Sequence, residues 1–178
     1  MKIPVFVSTP SALNTDQTAV KNLIIDELIK LNLEPRTLGI SDYPAKFPLL
    51  EVMSIARHCS GGVILGFSQF EADSVTIKKG TKSEKKVSTM SFPTPWNNLE
   101  AGLLFASGLP LIIFREAEIN GGVFDPGATD VFINKMPELN NATNLDALKN
   151  ILLEWQTDVR IHYYYGYRRH NLYDHSNL

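Results

Sequence analysis

Apolar positions along the chain switch between two spacings, which predicts strands and helices in alternation. Residues 3–9 form a short apolar run that predicts a buried strand. In residues 15–32, apolar side chains recur every three or four positions, as expected for an amphipathic helix. The later predicted elements are strands over residues 35–40, 61–67, 111–114 and 131–133, and helices over residues 49–59, 95–107 and 145–155.

Strands that alternate with helices are typical of a parallel sheet covered by helices on both faces. The strand segments are rich in Val, Ile, Leu and Phe, which suits strands that are buried on both sides. We therefore predict a flavodoxin-like three-layer α/β domain with a mainly parallel sheet of about five strands. At 178 residues, the chain is expected to form one domain over residues 1–178.

Two segments depart from this alternation. Residues 68–93 are predicted to form a hairpin insertion, with arms at residues 75–79 and 86–90. The hairpin tip carries five lysines and one glutamate, which fits either a solvated hairpin or a flap that holds an anionic ligand. Residues 158–178 form an aromatic tail. We interpret the tail as a strap against the core or a second subunit, in preference to a surface that stacks single-stranded nucleic acid.

The segment at residues 94–108 carries the candidate chemistry. Thr94 suits a helix N-cap, and Pro95 suits the first helical position. Within the predicted helix, Glu100 shares a face with Trp96 and with two leucines. A carboxylate in such surroundings either points to water or lies in a cleft where its pKa is shifted.

Composition and charge exclude several classes of function. The net charge of −2 does not favour a general nucleic-acid or membrane-surface binder, so we expect neither partner. The single cysteine, Cys59, excludes an intramolecular disulfide, and its place at the end of an apolar helical pattern predicts a packing role. No long apolar run follows a basic N-terminus, so we expect no signal peptide or membrane span, and a cytoplasmic location.

Common catalytic and phosphate-binding motifs are absent from the sequence. There is no Gly-x-Gly-x-x-Gly, no Gly-x-x-x-x-Gly-Lys-Ser/Thr and no Gly-x-Ser-x-Gly. His58, His162, His170 and His175 have no metal-ligand spacing with carboxylates or with Cys59. The sequence therefore predicts no metal site and no bound cofactor.

Residues 96–102, Trp-Asn-Asn-Leu-Glu-Ala-Gly, together with the apolar strand that follows, resemble the TIR-like nucleotide-binding domains of bacterial defence systems. They are similar, more distantly, to nucleoside 2-deoxyribosyltransferases, whose glutamate precedes a glycine in the same way. In both families this glutamate acts at the ribose end of an N-glycosidic bond, so the resemblance implies that role for Glu100. The 26-residue excursion before the helix and the aromatic tail depart from the TIR-like pattern and leave the substrate open.

Polar and aromatic residues follow the predicted strands at the edge where ligands of an open parallel sheet bind. Ser8 and Thr9 follow the first strand and are candidates to hold phosphate groups. Phe70 follows the third strand, and Arg115 follows the fourth. Ser11, in the same loop after the first strand, is a further candidate donor to a phosphate group.

Cleavage of an N-glycosidic bond needs few groups, because its transition state places positive charge on the ribose. One ionised carboxylate in a poorly hydrated pocket stabilises or attacks that centre, a role that Glu100 fits. Trp96 or Phe70 would stack on the base, and Ser8 and Thr9 with Arg115 would hold the phosphates.

Three functions remain open on these grounds. The first is an enzyme that hydrolyses or exchanges the N-glycosidic bond of NAD, the candidate substrate, or of a related nucleotide. The second is a nucleoside 2-deoxyribosyltransferase-like enzyme that acts on free nucleosides. The third is a non-catalytic nucleotide-binding or signalling module. The tyrosine-rich tail and Trp155 also predict a homo-oligomer, because they offer more apolar surface than a small monomer usually exposes.

Overall fold

The computed structural model describes residues 2–38 and 47–166 of the chain. These ranges contain nine strands, four α-helices and one short 3-10 turn at Gly122–Phe124. In chain order the strands and helices are β1 (Ile3–Ser8), α1 (Thr15–Lys30), β2 (Leu33–Arg36), α2 (Pro48–Ala56), β3 (Gly62–Gly66), β4 (Phe70–Ala72), β5 (Val75–Ile77), β6 (Lys85–Val87), β7 (Met90–Phe92), α3 (Pro95–Ala106), β8 (Leu111–Arg115), β9 (Ile133–Lys135) and α4 (Ala142–Tyr165).

Five of the strands form one parallel sheet in the order β2-β1-β3-β8-β9. Counted within this sheet alone, the order is 2-1-3-4-5, which is the flavodoxin-like order. The predicted fold class is therefore confirmed. The chain moves from β1 to one side of the sheet and then returns to the other side, so the strand order reverses between β1 and β3.

The sheet lies between two layers of helices because its strands alternate apolar side chains between its two faces. Val5 and Val7 of β1 pack into one hydrophobic cluster with residues of α1 and α4. Phe6, between them, packs into a second cluster with residues of α2 and α3. Successive side chains of a strand point to opposite faces of the sheet, so one strand contributes apolar side chains to both hydrophobic clusters.

Two helices begin at the capping residues that their sequences favour. The side chain of Asn14 accepts a hydrogen bond from the backbone N–H of Gln17, and the side-chain oxygen of Gln17 accepts one from the backbone N–H of Asn14, a capping box at the start of α1. Thr94 caps α3, and Pro95 occupies its first position, as predicted. These caps set where each helix begins relative to the sheet.

Several predicted boundaries are wrong by a few residues. The strand predicted at 35–40 begins earlier, at Leu33, and residues 39–40 lie outside the described ranges. The strand predicted at 131–133 begins at Ile133, two residues later than expected. Its pairing with β8 starts at Ile113↔Ile133, so contact with the neighbouring strand, rather than local apolar content, sets this boundary.

The last helix is longer than predicted and starts earlier. Its N-cap is Asn141, whose side chain accepts from the N–H of Asn144, and the helix begins at Ala142 instead of the predicted residue 145. The helix continues to Tyr165 because Val159, four residues after Trp155, is fully buried in the core. The aromatic tail predicted at 158–178 is therefore helical at its start, and residues 167–178 lie outside the described ranges.

Trp155 is buried and does not offer the exposed surface that the expected homo-oligomer invoked. Its indole N–H donates to the carbonyl oxygen of Pro110 at 3.1 Å. The tyrosine side chains at 164 and 165 are exposed, and the homo-oligomer stays a prediction.

The segment after β3 forms two consecutive antiparallel ladders. The base pairs β4 with β7, and the outer ladder pairs β5 with β6. The arm predicted at 75–79 is two residues too long, because β5 ends at Ile77. The arm predicted at 86–90 is misplaced, because β6 covers Lys85–Val87. The lysines at the tip are exposed, and Glu84 accepts from the backbone N–H of Gly80. No helix within the described ranges is long and apolar enough to cross a membrane.

Candidate functional site

The candidate site lies at the carboxyl ends of β1 and β3, where the strand order reverses. Ligands of open α/β sheets bind at such a point because the loops diverge there and leave a crevice. Ser8 is the last residue of β1, and Ser68 follows β3. Helix α3 packs against β1, β3 and β8 on one face of the sheet.

Glu100 lies on the inward face of α3. The buried residues of this helix are Asn97, Glu100, Ala101 and Leu104, which recur every three or four positions. The side chain of Glu100 is only 8% exposed. Of the two interpretations that the sequence left open, the structure therefore contradicts the solvated surface residue.

Burial changes the acidity of Glu100. Removal from water disfavours the charged form and raises the pKa of this carboxyl group from 4.5 to about 7. A hydrogen bond with the Ser8 side chain acts in the opposite direction and lowers the pKa, by a smaller amount. A carboxyl group with this pKa exists in both protonation states at neutral pH.

Ser8 reaches the Glu100 side of the sheet because of its register in β1. Phe6, two residues earlier, packs against α2 and α3, so the side chain of Ser8 is directed to the same face. Ser8 is almost fully buried, and its Oγ accepts a hydrogen bond from Nδ2 of Asn97 at 2.8 Å. Strand β1 and helix α3 are thus joined by side chains at the site.

Thr9 follows Ser8 at the end of β1. Its hydroxyl oxygen is buried and makes no hydrogen bond within the described part of the chain. Buried hydroxyl groups are normally paired, so this one is an available donor and acceptor beside Ser8.

A second carboxylate, Glu116, ties the loops at this edge together. It accepts hydrogen bonds from the backbone N–H of Ser68 at 2.6 Å and from Nε2 of Gln17 at 3.1 Å. Gln17 also donates to the carbonyl oxygen of Ser68. Three loops or helix ends, from α1, β3 and β8, therefore converge on one carboxylate, which holds the rim of the site in place.

The other predicted site residues lie around this edge in different environments. Trp96 is 43% exposed and Phe70 is 57% exposed, so both present aromatic surface to solvent. The Arg115 guanidinium donates to the carbonyl oxygen of Ile119 and to the side chain of Asn120. These contacts hold the loop after β8, and the predicted phosphate role of Arg115 stays a prediction.

Sequence reasoning missed Asn97, Gln17 and Glu116 as members of the site. Asn97 lies three residues before Glu100, so helical spacing alone would have placed both on one face. Gln17 belongs to the capping box at the start of α1. Its contact with Glu116 spans 99 positions, which no local pattern reveals.

No protein-family model matches the chain, and no curated protein matches it. Among solved structures, a CMP N-glycosidase from Clostridium botulinum is similar, with a TM-score of 0.51, 13% identity, and coverage of 85% of this chain and 98% of that chain. A diflavin flavoprotein from Nostoc sp. gives a TM-score of 0.44 at 13% identity, covering 91% of this chain and 97% of that one. The Vibrio vulnificus NanR protein complexed with ManNAc-6P gives 0.42 at 15% identity, covering 89% and 53% respectively. At such identities, the likeness concerns the fold.

Proposed function

We propose that the protein cleaves or exchanges the N-glycosidic bond of NAD or a related nucleotide, with Glu100 acting at the ribose. The observation that carries this proposal is a buried glutamate, with a pKa of about 7 and a hydrogen bond to Ser8, at the reversal of strand order. Pockets that shift the pKa of a carboxyl group are common at catalytic sites.

The reaction breaks the bond between ribose C1′ and the base nitrogen. The base leaves with the bonding electron pair, and the ribose gains positive charge in the transition state. The ionised Glu100 stabilises that charge or bonds to C1′ directly. In hydrolysis, a water oxygen finally joins C1′ and keeps one proton as the new hydroxyl group, while its other proton is released to solvent or passed to the departing base. In exchange, the nitrogen of a second base takes the place of water.

The surrounding residues suit the remaining parts of a nucleotide. Ser8 and Thr9 offer hydroxyl groups at the end of β1, and the Thr9 hydroxyl is buried with no partner among the described residues. Trp96 and Phe70 offer exposed rings on which a base could stack. Together with Arg115, these are the proposed substrate-binding residues.

The resemblance of residues 96–102 to TIR-like domains favours NAD as substrate. The fold likeness to a CMP N-glycosidase adds a nucleoside 5′-monophosphate as the second substrate to assay. A nucleoside 2-deoxyribosyltransferase-like enzyme is the other catalytic candidate, favoured by the Glu-Ala-Gly sequence at residues 100–102. A non-catalytic nucleotide-binding module is the third.

A substrate panel distinguishes these functions. The purified protein is incubated separately with NAD, with CMP, and with a deoxynucleoside plus a second free base, and the bases are separated by chromatography. We expect a released base from NAD or CMP. A new deoxynucleoside would instead identify the transferase, whereas thermal stabilisation by nucleotide without any released base would identify the binding module.

A further inference from the structure

A chain of hydrogen bonds leads from the N-cap of α3 to the candidate catalytic glutamate. The Thr94 hydroxyl accepts from the backbone N–H of Asn97 at 3.3 Å and donates to Oδ1 of Asn97 at 3.1 Å. The Nδ2 group of Asn97 donates to Ser8 at 2.8 Å and, more weakly, to the carbonyl oxygen of Leu65 at 3.4 Å. Ser8 lies beside Glu100, and a hydrogen bond from its side chain is the effect that lowers the pKa of that carboxyl group.

The hydrogen bonds of this chain run in one direction, from Thr94 through Asn97 to Ser8. A hydroxyl group has one proton, and the Thr94 proton is directed to Oδ1 of Asn97. The amide of Asn97 is thereby oriented with its Nδ2 group toward Ser8. The Ser8 oxygen accepts that hydrogen bond, which occupies one of its two lone pairs and leaves the Ser8 proton available to Glu100.

We propose that Thr94 and Asn97 are positioning residues that direct the Ser8 proton toward Glu100 and so favour the ionised carboxylate. The inference rests on the proposed function for its purpose, since an ionised carboxylate is what the reaction requires at the ribose. A donor chain of this kind strengthens each of its hydrogen bonds through mutual polarisation.

No charged group on the described elements that pack against α3 is a cause of the pKa shift of Glu100. Strands β1 and β3 and the 3-10 turn contain no titratable side chain. Strand β8 contributes Arg115, whose guanidinium donates to Ile119 and Asn120, and α2 contributes Glu51. The pKa of Glu100 is raised by burial and lowered by Ser8, with no charged partner involved.

The test is a carboxyl ¹³C NMR titration of Glu100 in the parent and in variants, with Glu100→Gln used to assign the signal. Ser8→Ala removes the donor. Asn97→Asp replaces the amide donor by an acceptor that would take the Ser8 proton away from Glu100. We expect each variant to raise the pKa of Glu100 by about one pH unit or more, the size typical of a hydrogen bond to a charged group.

Asn98→Asp is the matched control for the added charge. It introduces the same charge one position further along α3, where Oδ1 of Asn98 already accepts from the N–H of Val123 at 3.0 Å. We expect a much smaller rise in the pKa of Glu100. Equal pKa values in Asn97→Asp and Asn98→Asp, or an unchanged pKa in Ser8→Ala, would overturn the proposal.

A second pair of variants keeps the test available if Asn97→Asp does not fold. Thr94→Ser keeps the hydroxyl group and should leave the pKa of Glu100 at the parent value, whereas Thr94→Val removes the donor to Asn97 and should raise it. Equal pKa values in these two variants would also contradict the inference. The titration needs no substrate, so a protein that shows these shifts but releases no base contradicts the proposed function alone.

Discussion

Two opposing effects set the pKa of Glu100: burial raises it and a hydrogen bond from Ser8 lowers it, and the effect of burial is the larger. Its pKa of about 7 places the change of charge within the range of ordinary buffers. The helix that carries it supplies Asn97 from the preceding turn, and β1 supplies Ser8. The charge of Glu100 should therefore affect both the free energy of unfolding and the rate of base release.

The raised pKa predicts how stability depends on pH. Between about pH 4.5 and 7 the folded protein keeps the Glu100 proton that the unfolded chain has already lost, so the free energy of unfolding falls as pH rises through this window. The full difference is on the order of 3 kcal/mol. Glu100→Gln does not titrate, so its stability relative to the parent should improve by about this amount between pH 4 and pH 8.

Urea denaturation of the parent and Glu100→Gln at both pH values measures this difference. Glu154→Gln, which removes an exposed carboxylate from α4, is the matched control and should follow the parent at both pH values. If Glu100→Gln and the parent change in parallel with pH, the carboxyl group is not buried in the way described.

At this scale, the sequence pointed to Glu100 but could not show whether it was buried. The helix carries leucines at positions 99, 103 and 104, so apolar residues lie on more than one side of it. Ser8 was predicted from its place after a strand. Asn97 was missed because its partner, Ser8, lies 89 positions away in the sequence, and only the packing of α3 on β1 brings them together.

At the scale of elements, α4 shows how a boundary depends on tertiary contacts. The helix runs to Tyr165 and is followed by Gly166, whose φ of 67° suits a helix end. Its inner face packs closely against the start of β3, where Gly61 lies next to Trp155 and Val159. The apolar stripe of this helix was predicted correctly up to Trp155. The continuation of the helix to Tyr165 was missed, because the aromatic residues that follow Trp155 do not by themselves distinguish a helix from an irregular tail.

Gly61→Ala should destabilise the protein by about 1–3 kcal/mol, the usual effect of overpacking a core. A methyl group at this position would lie 2.6 Å from Cγ2 of Val159 and 2.8 Å from Cζ2 of Trp155. Thermal and urea unfolding of the purified variant measure the effect.

Gly102→Ala provides the matched comparison for this substitution. Gly102 lies on the exposed side of α3, where the added methyl group would meet no atom within 4 Å beyond its chain neighbours and the backbone of its own helix. Alanine is the better helix former, so this variant should gain about 0.5–1 kcal/mol. A Gly61→Ala variant as stable as Gly102→Ala would show that α4 does not pack on β3 as described.

At the scale of the whole molecule, the order of the five parallel strands decides where a ligand can bind. The reversal between β1 and β3 brings Ser8 and the loop after β3 to one edge, and α3 delivers Glu100 to the same edge. Glu116 then joins the loops around it. Elements distant in sequence thus form one site because the sheet is parallel.

The parallel sheet could be predicted because β1, β3 and β8 are short apolar strands, and because helices separate the consecutive strands of this sheet from β1 to β8. The two small ladders between β3 and α3 could be predicted only as a hairpin. Their strands are only three residues long, too short to show an apolar pattern, so pairing across the ladder sets their register. Both roles considered for this insertion, a solvated hairpin and a flap that holds an anionic ligand, stay predictions.

The most direct test of the central claim is the rate of base release by the parent and by Glu100→Gln under identical conditions, on whichever nucleotide the parent cleaves. Glutamine keeps the size of the side chain and removes its charge, so turnover should fall on the order of 10²-fold or more, as for other groups that stabilise a charged transition state. Nucleotide binding should be nearly unchanged, and Glu154→Gln should react at the parent rate. Release of base by Glu100→Gln at the parent rate would contradict the assignment of Glu100 to the ribose.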